Sequence, residues 1–317
     1  MRDVPRLVSL LPSATEILDV LGLSTYQVGR SHECDYPAAV SALPVCTAPK
    51  FDPVGTSAEI HDRVTELLTS ALSVYRVSTD QLQELQPSHI FTQAQCEVCA
   101  VSLADVEAAV AVNAAKQSSE APAPQVISLQ PNTLAEVWAD IRRVAQAVLG
   151  SAGIPPAEAA IAALSQRVEA VKAAIAPQTH RPRVACIEWP DPLMGAGNWI
   201  PELVTLAGGD PCFGTVGQHS PWLSWSELLA ADPDIIILMP CGYDLPRTRT
   251  EAQPLINHPQ WPDLAAVRQG QVYVTDGNQY FNRPGPRLVD SLEILAEILH
   301  PEAVKPHRYR GNGWQPL

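Results

Sequence analysis

Positive charge is scarce in this chain of 317 residues: 21 lysines and arginines stand against 34 acidic residues, for a formal net charge of −13. No Lys/Arg-rich run offsets that balance. Nothing here would displace counterions from phosphates, so a nucleic-acid partner is excluded. Long uninterrupted apolar runs are missing too. None reaches the roughly 18 residues of a membrane span. Gly-rich nucleotide loops of the GxGxxG or Walker type do not occur, and AGGD (207–210) reads as a turn after a helix. Ser13, in LPSATE, does not sit in a nucleophile elbow. The N-terminus shows no charged segment leading into an apolar one, and no lipid-acceptor cysteine. A cytoplasmic protein is therefore expected, or a periplasmic one whose leader has been removed.

Charged residues make up 17% and hydrophobic residues 46%, which describes a globular chain with a well-buried interior. Its length suits two lobes of roughly 130–150 residues better than one core. Cysteines number seven, an odd count, and Cys46, Cys186 and Cys212 lie in or beside strand-like runs. Buried unpaired thiols fit a reducing compartment.

Short β-branched or apolar runs, closed by Pro, Gly, Ser or Asn, fall at Arg6–Leu10, His89–Thr92, Val126–Leu129, Arg183–Glu188, Asp234–Met239 and Gln271–Thr275. Helix-period segments separate most of them. One is Ser13–Leu21, with Ser13 as N-cap and Glu16 three residues on as a capping box. Such alternation predicts parallel sheets with helical cover. The stretch from Thr133 to Ile175 departs from it: Leu134, Val137, Ile141 and Val144 recur at helical spacing, and a second helix follows the break GSAGIPP (150–156). Two echoes bind the halves together. LQELQPSHIFTQAQC (82–96) has the order of LLAADPDIIILMPCG (228–242), and QVISLQPN (125–132) that of QVYVTDGN (271–278). The expected fold class is α/β: two Rossmann-like lobes with parallel sheets, bridged by a long α-helix. The lobes are placed at 1–132 and 183–317, with the helical bridge at 133–182. A ligand would sit between them, at the carboxyl ends of the strands.

RLVSLLPSATEILDVLG (6–22), YQVGRSHECDYP (26–37), DPDIIIL (232–238) and RPGPRLVDSLEILAEILHP (283–301) resemble the cobalamin-binding branch of the ABC-transporter substrate-binding proteins. The resemblance runs from Arg6 to about His300. It implies two α/β lobes joined by a long helix, a corrinoid, haem or iron–siderophore as ligand, and an ABC-transporter permease as partner. Permease docking in that family uses exposed acidic residues, which Glu97 and Glu202 match in place. SHECDYP and QCEVC depart from the residues with which the known transport members hold the corrin ring.

Polar turns after the strands carry the candidate ligand-binding residues. Tyr36, Trp189, Trp199, Tyr280 and Phe281 offer flat faces for a large planar ligand. Gln93, Gln95 and Asn198 offer amides for its rim. His32 has the widest chemical range, since neutral imidazole ligates cobalt, iron or zinc. Glu33 and Asp35 flank it. Ser31, Cys34, Glu188, Cys241 and Arg283 complete the set.

Cys96 and Cys99 form a Cys-x-x-Cys pair straight after a predicted strand. Three readings stand: a zinc site, which needs a second pair and finds only His32-x-Cys34; a redox pair before a helix; or the wall of a ligand site, with Cys96 facing Cys241. The third is preferred. The function expected is a corrinoid carrier of the substrate-binding-protein type. Its rivals are a cytoplasmic enzyme acting on a cofactor or thiol at the same place, and a haem or metal-chelate binder.

Overall fold

The structure is a computed structural model that describes residues 4–70, 74–94, 101–116 and 122–317. The chain divides into two units, one over residues 1–55, 59–131 and 135–162, the other over 56–58, 132–134 and 163–317.

In chain order the first part runs β1 (Leu7–Ser9), α1 (Pro12–Val20), β2 (Gln27–Arg30), β3 (Thr47–Pro49), α2 (Ser57–Ser70), β4 (Tyr75–Val77), α3 (Thr79–Leu85), β5 (His89–Gln93), α4 (Leu103–Lys116), β6 (Gln125–Leu129) and α5 (Leu134–Leu149). Its main sheet has the order β2-β1-β5-β6, every pair parallel. Parallel neighbours must be joined by crossovers, which is why apolar runs and helices alternate in the sequence. Val8, Leu10, Leu82, Ile90 and Val106 bury one face of this sheet under its helices. A short antiparallel ladder, β3 with β4, lies apart from it.

The helix α6 (Ile154–Ile175) carries the chain from one unit into the other. Beyond it come β7 (Arg183–Trp189), β8 (Met194–Gly195), α7 (Ile200–Leu206), β9 (Asp210–Pro211), α8 (Trp225–Ala231), β10 (Ile235–Leu238), α9 (Leu245–Glu251), α10 (Gln253–Ile256), α11 (Ala265–Arg268), β11 (Val272–Thr275), α12 (Leu288–Leu299) and β12 (Trp314–Pro316). β7, β10 and β11 run parallel, with β12 antiparallel on the β11 edge. Against the same strands pack Leu193, Leu228, Leu245, Trp261 and Leu264.

The two expected bridge helices form, and the turn between them has a steric cause. Gly150 ends α5 at φ +61, and a side chain at Gly153 would meet the Ala145 carbonyl oxygen at 2.3 Å. Only a bare backbone passes so close. The second helix starts earlier than its Pro-Pro pair suggests, because proline fits the first helical turn, where its missing N–H would have no partner. Ala157, Ile161, Leu164, Val168 and Val171 then bury one stripe of α6 at spacings of three and four.

Two expectations are corrected here. Ser13 is not an N-cap: α1 opens at Pro12, Leu11 takes the extended cap position without a side-chain bond, and Ser13 is buried inside the helix. The membrane count also changes. Leu134–Ile175 is long and apolar enough to cross a membrane by length and composition, with a mean hydropathy of 1.4 in its best window, 22% of which is buried. Counting unbroken apolar residues overlooked it, because alanines spread between charged residues raise the window average.

The sequence echo has a structural counterpart. α3 ends at Gln86 (φ 44) and α8 at Asp232 (φ 36), both left-handed caps, and each is followed by a proline and a buried strand.

Acidic residues of α12 hold the last segment of the chain. The Arg167 guanidinium donates to both oxygens of Glu293, at 2.9 and 2.7 Å, and to Asp290. The Tyr309 hydroxyl lies 2.8 Å from Asp290 and 2.7 Å from Glu293. One turn on, Glu297 accepts from the Arg308 amide at 2.6 Å and the Trp314 indole at 2.7 Å.

Candidate functional site

In a parallel sheet the loops after the strands gather at one edge, and each unit has such an edge. In the first unit the loop after β2 is the most organised. The Arg30 guanidinium donates to the carbonyls of Ser31 (3.0 Å), Cys34 (3.2 Å) and Ser41 (3.2 Å), so the loop folds around a charged fork. This brings residues 31–34 into one cluster.

His32 is its centre. The His32 amide donates to Thr47 Oγ1 at 3.1 Å, and His32 Nδ1 lies 2.8 Å from that same oxygen. Thr47 in turn donates to Ser31 Oγ at 3.1 Å, and Ser31 Oγ accepts the Glu33 amide at 3.2 Å. The Tyr75 ring packs on the imidazole with centroids 5.4 Å apart, and the Tyr75 hydroxyl reaches Glu33 Oε1 at 3.5 Å. Burial, and then the charge of Arg30, hold the imidazole below the usual histidine range. It is neutral at pH 7.

Other first-unit candidates are placed differently. Cys34 is 1% exposed and its sulfur accepts from Thr15 Oγ1 at 3.1 Å, so the thiol belongs to the interior. Tyr36 is 44% exposed. Gln93 is buried at the end of β5, where it bridges to Ser102. Gln95, Cys96, Glu97 and Cys99 lie outside the described residues. Among the described residues no three His, Cys, Asp or Glu side chains gather as a metal-binding group.

In the second unit β7 ends at Glu188 and Trp189. Glu188 accepts from Ser220 Oγ at 2.7 Å, and that oxygen accepts the Gly197 amide at 3.0 Å. Trp189 packs on Tyr243 with ring centroids 5.3 Å apart. Tyr243 is 3% exposed, and the Arg247 guanidinium sits 4.1 Å above its ring. Burial pushes this phenol up to about 12, against the pull of Arg247. Cys241, in the same turn, is a half-exposed free thiol.

The turns after β10 and β11 interlock. A side chain at Gly277 would meet the Pro240 carbonyl oxygen at 2.2 Å. Asn282 Nδ2 donates to the Met239 and Gly277 carbonyls, each at 3.0 Å, and the Asn278 amide donates to the Tyr243 carbonyl at 3.1 Å. Trp199 is 7% exposed and gives its indole N–H to the Phe281 carbonyl at 2.8 Å, which turns both aromatics into the fold. Asn198 precedes it in a left-handed conformation (φ 50), with its amide on the Gln218 carbonyl. Tyr280 packs edge-on against Tyr309 at 5.8 Å. Arg283 is buried and bonded to Asn278 Oδ1 at 3.0 Å.

Glu202 lies in the first turn of α7, and its Oε2 accepts the Leu134 amide at 2.9 Å, a bond within the second unit. It satisfies a helix N-terminal donor.

Thr47, Tyr75, Ser220, Tyr243 and Arg247 were not among the sequence candidates. Tyr243 alone had a readable signal, since it stands in the PCGYD turn after a predicted strand.

The sequence model described as periplasmic binding protein matches residues 7–279. The chain belongs to that family. Among solved structures of the fold, an ABC transporter substrate-binding protein from Listeria monocytogenes superposes with a TM-score of 0.69 at 17% identity, covering 94% of this chain and 99% of that one. The periplasmic heme-binding protein RhuT from Roseiflexus sp. RS-1 gives 0.67 at 22% identity, covering 94% and 99%. The periplasmic vitamin B12 binding protein BtuF of Vibrio cholerae gives 0.62 at 20% identity, covering 95% and 98%. At these identities the likeness is one of fold. No curated protein sequence matches the chain. For a periplasmic binding protein, two α/β units with parallel sheets and a long connecting helix are the expected plan.

Proposed function

We propose that this periplasmic binding protein carries a large, flat, metal-centred macrocycle, a corrinoid in the first instance. The observation that carries the reading is the make-up of the strand-end turns. A neutral imidazole, His32, is fixed at one of them, and Trp189 and Tyr280 stand at others with Glu188 and Cys241 beside them. Aromatic faces suit the ring plane, polar groups suit a rim of amides or carboxylates, and imidazole suits cobalt or iron. Haem is the second reading, supported by the same chemistry and by a heme-binding neighbour of like fold beside a B12-binding one.

An ABC-transporter permease is the proposed partner, in line with the family. Docking through Glu202 would have to displace its bond to the Leu134 amide. The five described cysteines are all free thiols, which supports a reducing compartment as the place of work.

Titration of the purified protein with diaquacobinamide and with haemin, followed by absorption and native mass spectrometry, tests the reading. One equivalent of either held through buffer exchange is the expected result. Loss of both on exchange would overturn it. A corrinoid that is held but chemically altered on adding thiol would instead mark an enzyme.

A further inference from the structure

Thr47 decides which nitrogen of His32 carries the proton. A threonine hydroxyl has one hydrogen and two lone pairs. The hydrogen goes to Ser31 Oγ at 3.1 Å, and one lone pair accepts the His32 amide at 3.1 Å. Nδ1, 2.8 Å from the same oxygen, must then be the donor to the remaining lone pair. The proton therefore sits on Nδ1 and Nε2 keeps its lone pair. Nε2 makes no hydrogen bond with any described residue.

A metal-binding histidine is normally built this way: one ring nitrogen donates to a fixed protein acceptor, which sets the tautomer and aims the other nitrogen. Here the Tyr75 ring also packs against the imidazole in a tilted arrangement, centroids 5.4 Å apart and planes at 45°. One imidazole supplies one coordination position, so the metal it binds must bring its other ligands with it. A macrocycle does this. We infer that His32 Nε2 is the axial ligand to the metal at the centre of the bound macrocycle, with Thr47 as the residue that positions it. The inference rests on the macrocycle-binding reading above. On binding, the metal exchanges one coordinated water for the imidazole nitrogen. Its oxidation state is unchanged and no proton is transferred, because Nε2 is already bare.

Two measurements test this, one without any ligand. NMR nitrogen shifts of the apo protein are expected to show His32 as the Nδ1–H tautomer at neutral pH. An Nε2–H tautomer would overturn the inference whatever the variants do. In the second, diaquacobinamide and haemin are each titrated into wild type, His32→Ala and Thr47→Val. Wild type should give the absorption spectrum of an imidazole-ligated metal with whichever probe is the right one. His32→Ala should bind with the spectrum of the water-ligated form, and added imidazole should restore the shift. Thr47→Val should weaken binding by about 10-fold while keeping a ligated spectrum. Equal shifts in wild type and His32→Ala would overturn the axial role and leave macrocycle binding standing. Failure of wild type to bind either probe would sink both.

Discussion

Trp189 and Tyr243 pack with ring centroids 5.3 Å apart at a tilt of 44°. Among the described residues neither the indole N–H nor the phenol O–H meets a partner at full hydrogen-bond geometry, although the Arg247 guanidinium lies over the Tyr243 ring. Two buried polar groups are thus left without a full hydrogen bond, side by side. Each such group is destabilising by roughly 1–3 kcal/mol relative to one with a partner. Tyr243→Phe keeps the ring packing and removes the orphan, so stability should hold or rise by about 1 kcal/mol. Urea unfolding measures it, and a clear loss would show that the hydroxyl is bonded. The same burial favours the neutral phenol. Its contribution to stability is full below the ordinary tyrosine range and is lost as pH rises towards about 12.

Asp140 is 3% exposed on α5, with Oδ2 unpartnered among the described residues and Oδ1 3.3 Å from Arg143. Burial pushes its pKa up to about 6, against the pull of Arg143 and a backbone bond from Gln130. Because the folded value lies above the unfolded one, this group favours the fold when protonated, and that contribution is lost as pH rises through 6. Asp140→Asn should therefore be more stable than wild type at pH 8, by roughly 1–3 kcal/mol, with the gap shrinking to roughly half at pH 5 as the folded-state carboxyl protonates. Chemical denaturation at the two pH values checks it. A gap that widens in acid would refute the assignment.

Arg167 serves two carboxylates at once. Burial would raise Glu293, but bonds from Arg167 and Tyr309 outweigh it and hold the carboxyl below its usual range. That contribution is present above the ordinary glutamate value and is lost as pH falls through the folded one. Arg167→Met should cost about 2 kcal/mol at pH 7, less than for a fully buried pair because the arginine is 36% exposed. Below about pH 4 wild type and variant should converge. A double-mutant cycle with Glu293→Gln reads the coupling directly.

Much of the scaffold could be read from local pattern. β5, β7 and β10 are apolar runs bounded by Pro or Gly, and the buried stripe of α5 announces itself at Val137, Ile141 and Val144. The α1 cap was misread because Pro12 and Ser13 are both good opening residues and only one can be first. β3 and β4 are three residues each, too short for a period to show. Missing that ladder hid Thr47 and Tyr75, the two residues that hold His32 from 15 and 43 positions away along the chain. Within the strand-end turns, composition could not separate residues that face outward from those used inside. Trp199 and Phe281 are spent on each other, and Cys34 on Thr15.

Gly277 makes one mechanical part of two turns that are 37 positions apart. Its bare Cα against the Pro240 carbonyl leaves no slack between them, and Asn282 and Asn278 stitch the same seam from either side. Cys241 and Tyr280 therefore cannot be displaced independently: whatever pushes on one is felt at the other. Adaptation to a differently shaped cargo through this lip would require paired changes, one in each turn, because any single enlargement would jam the seam before it reshaped the surface.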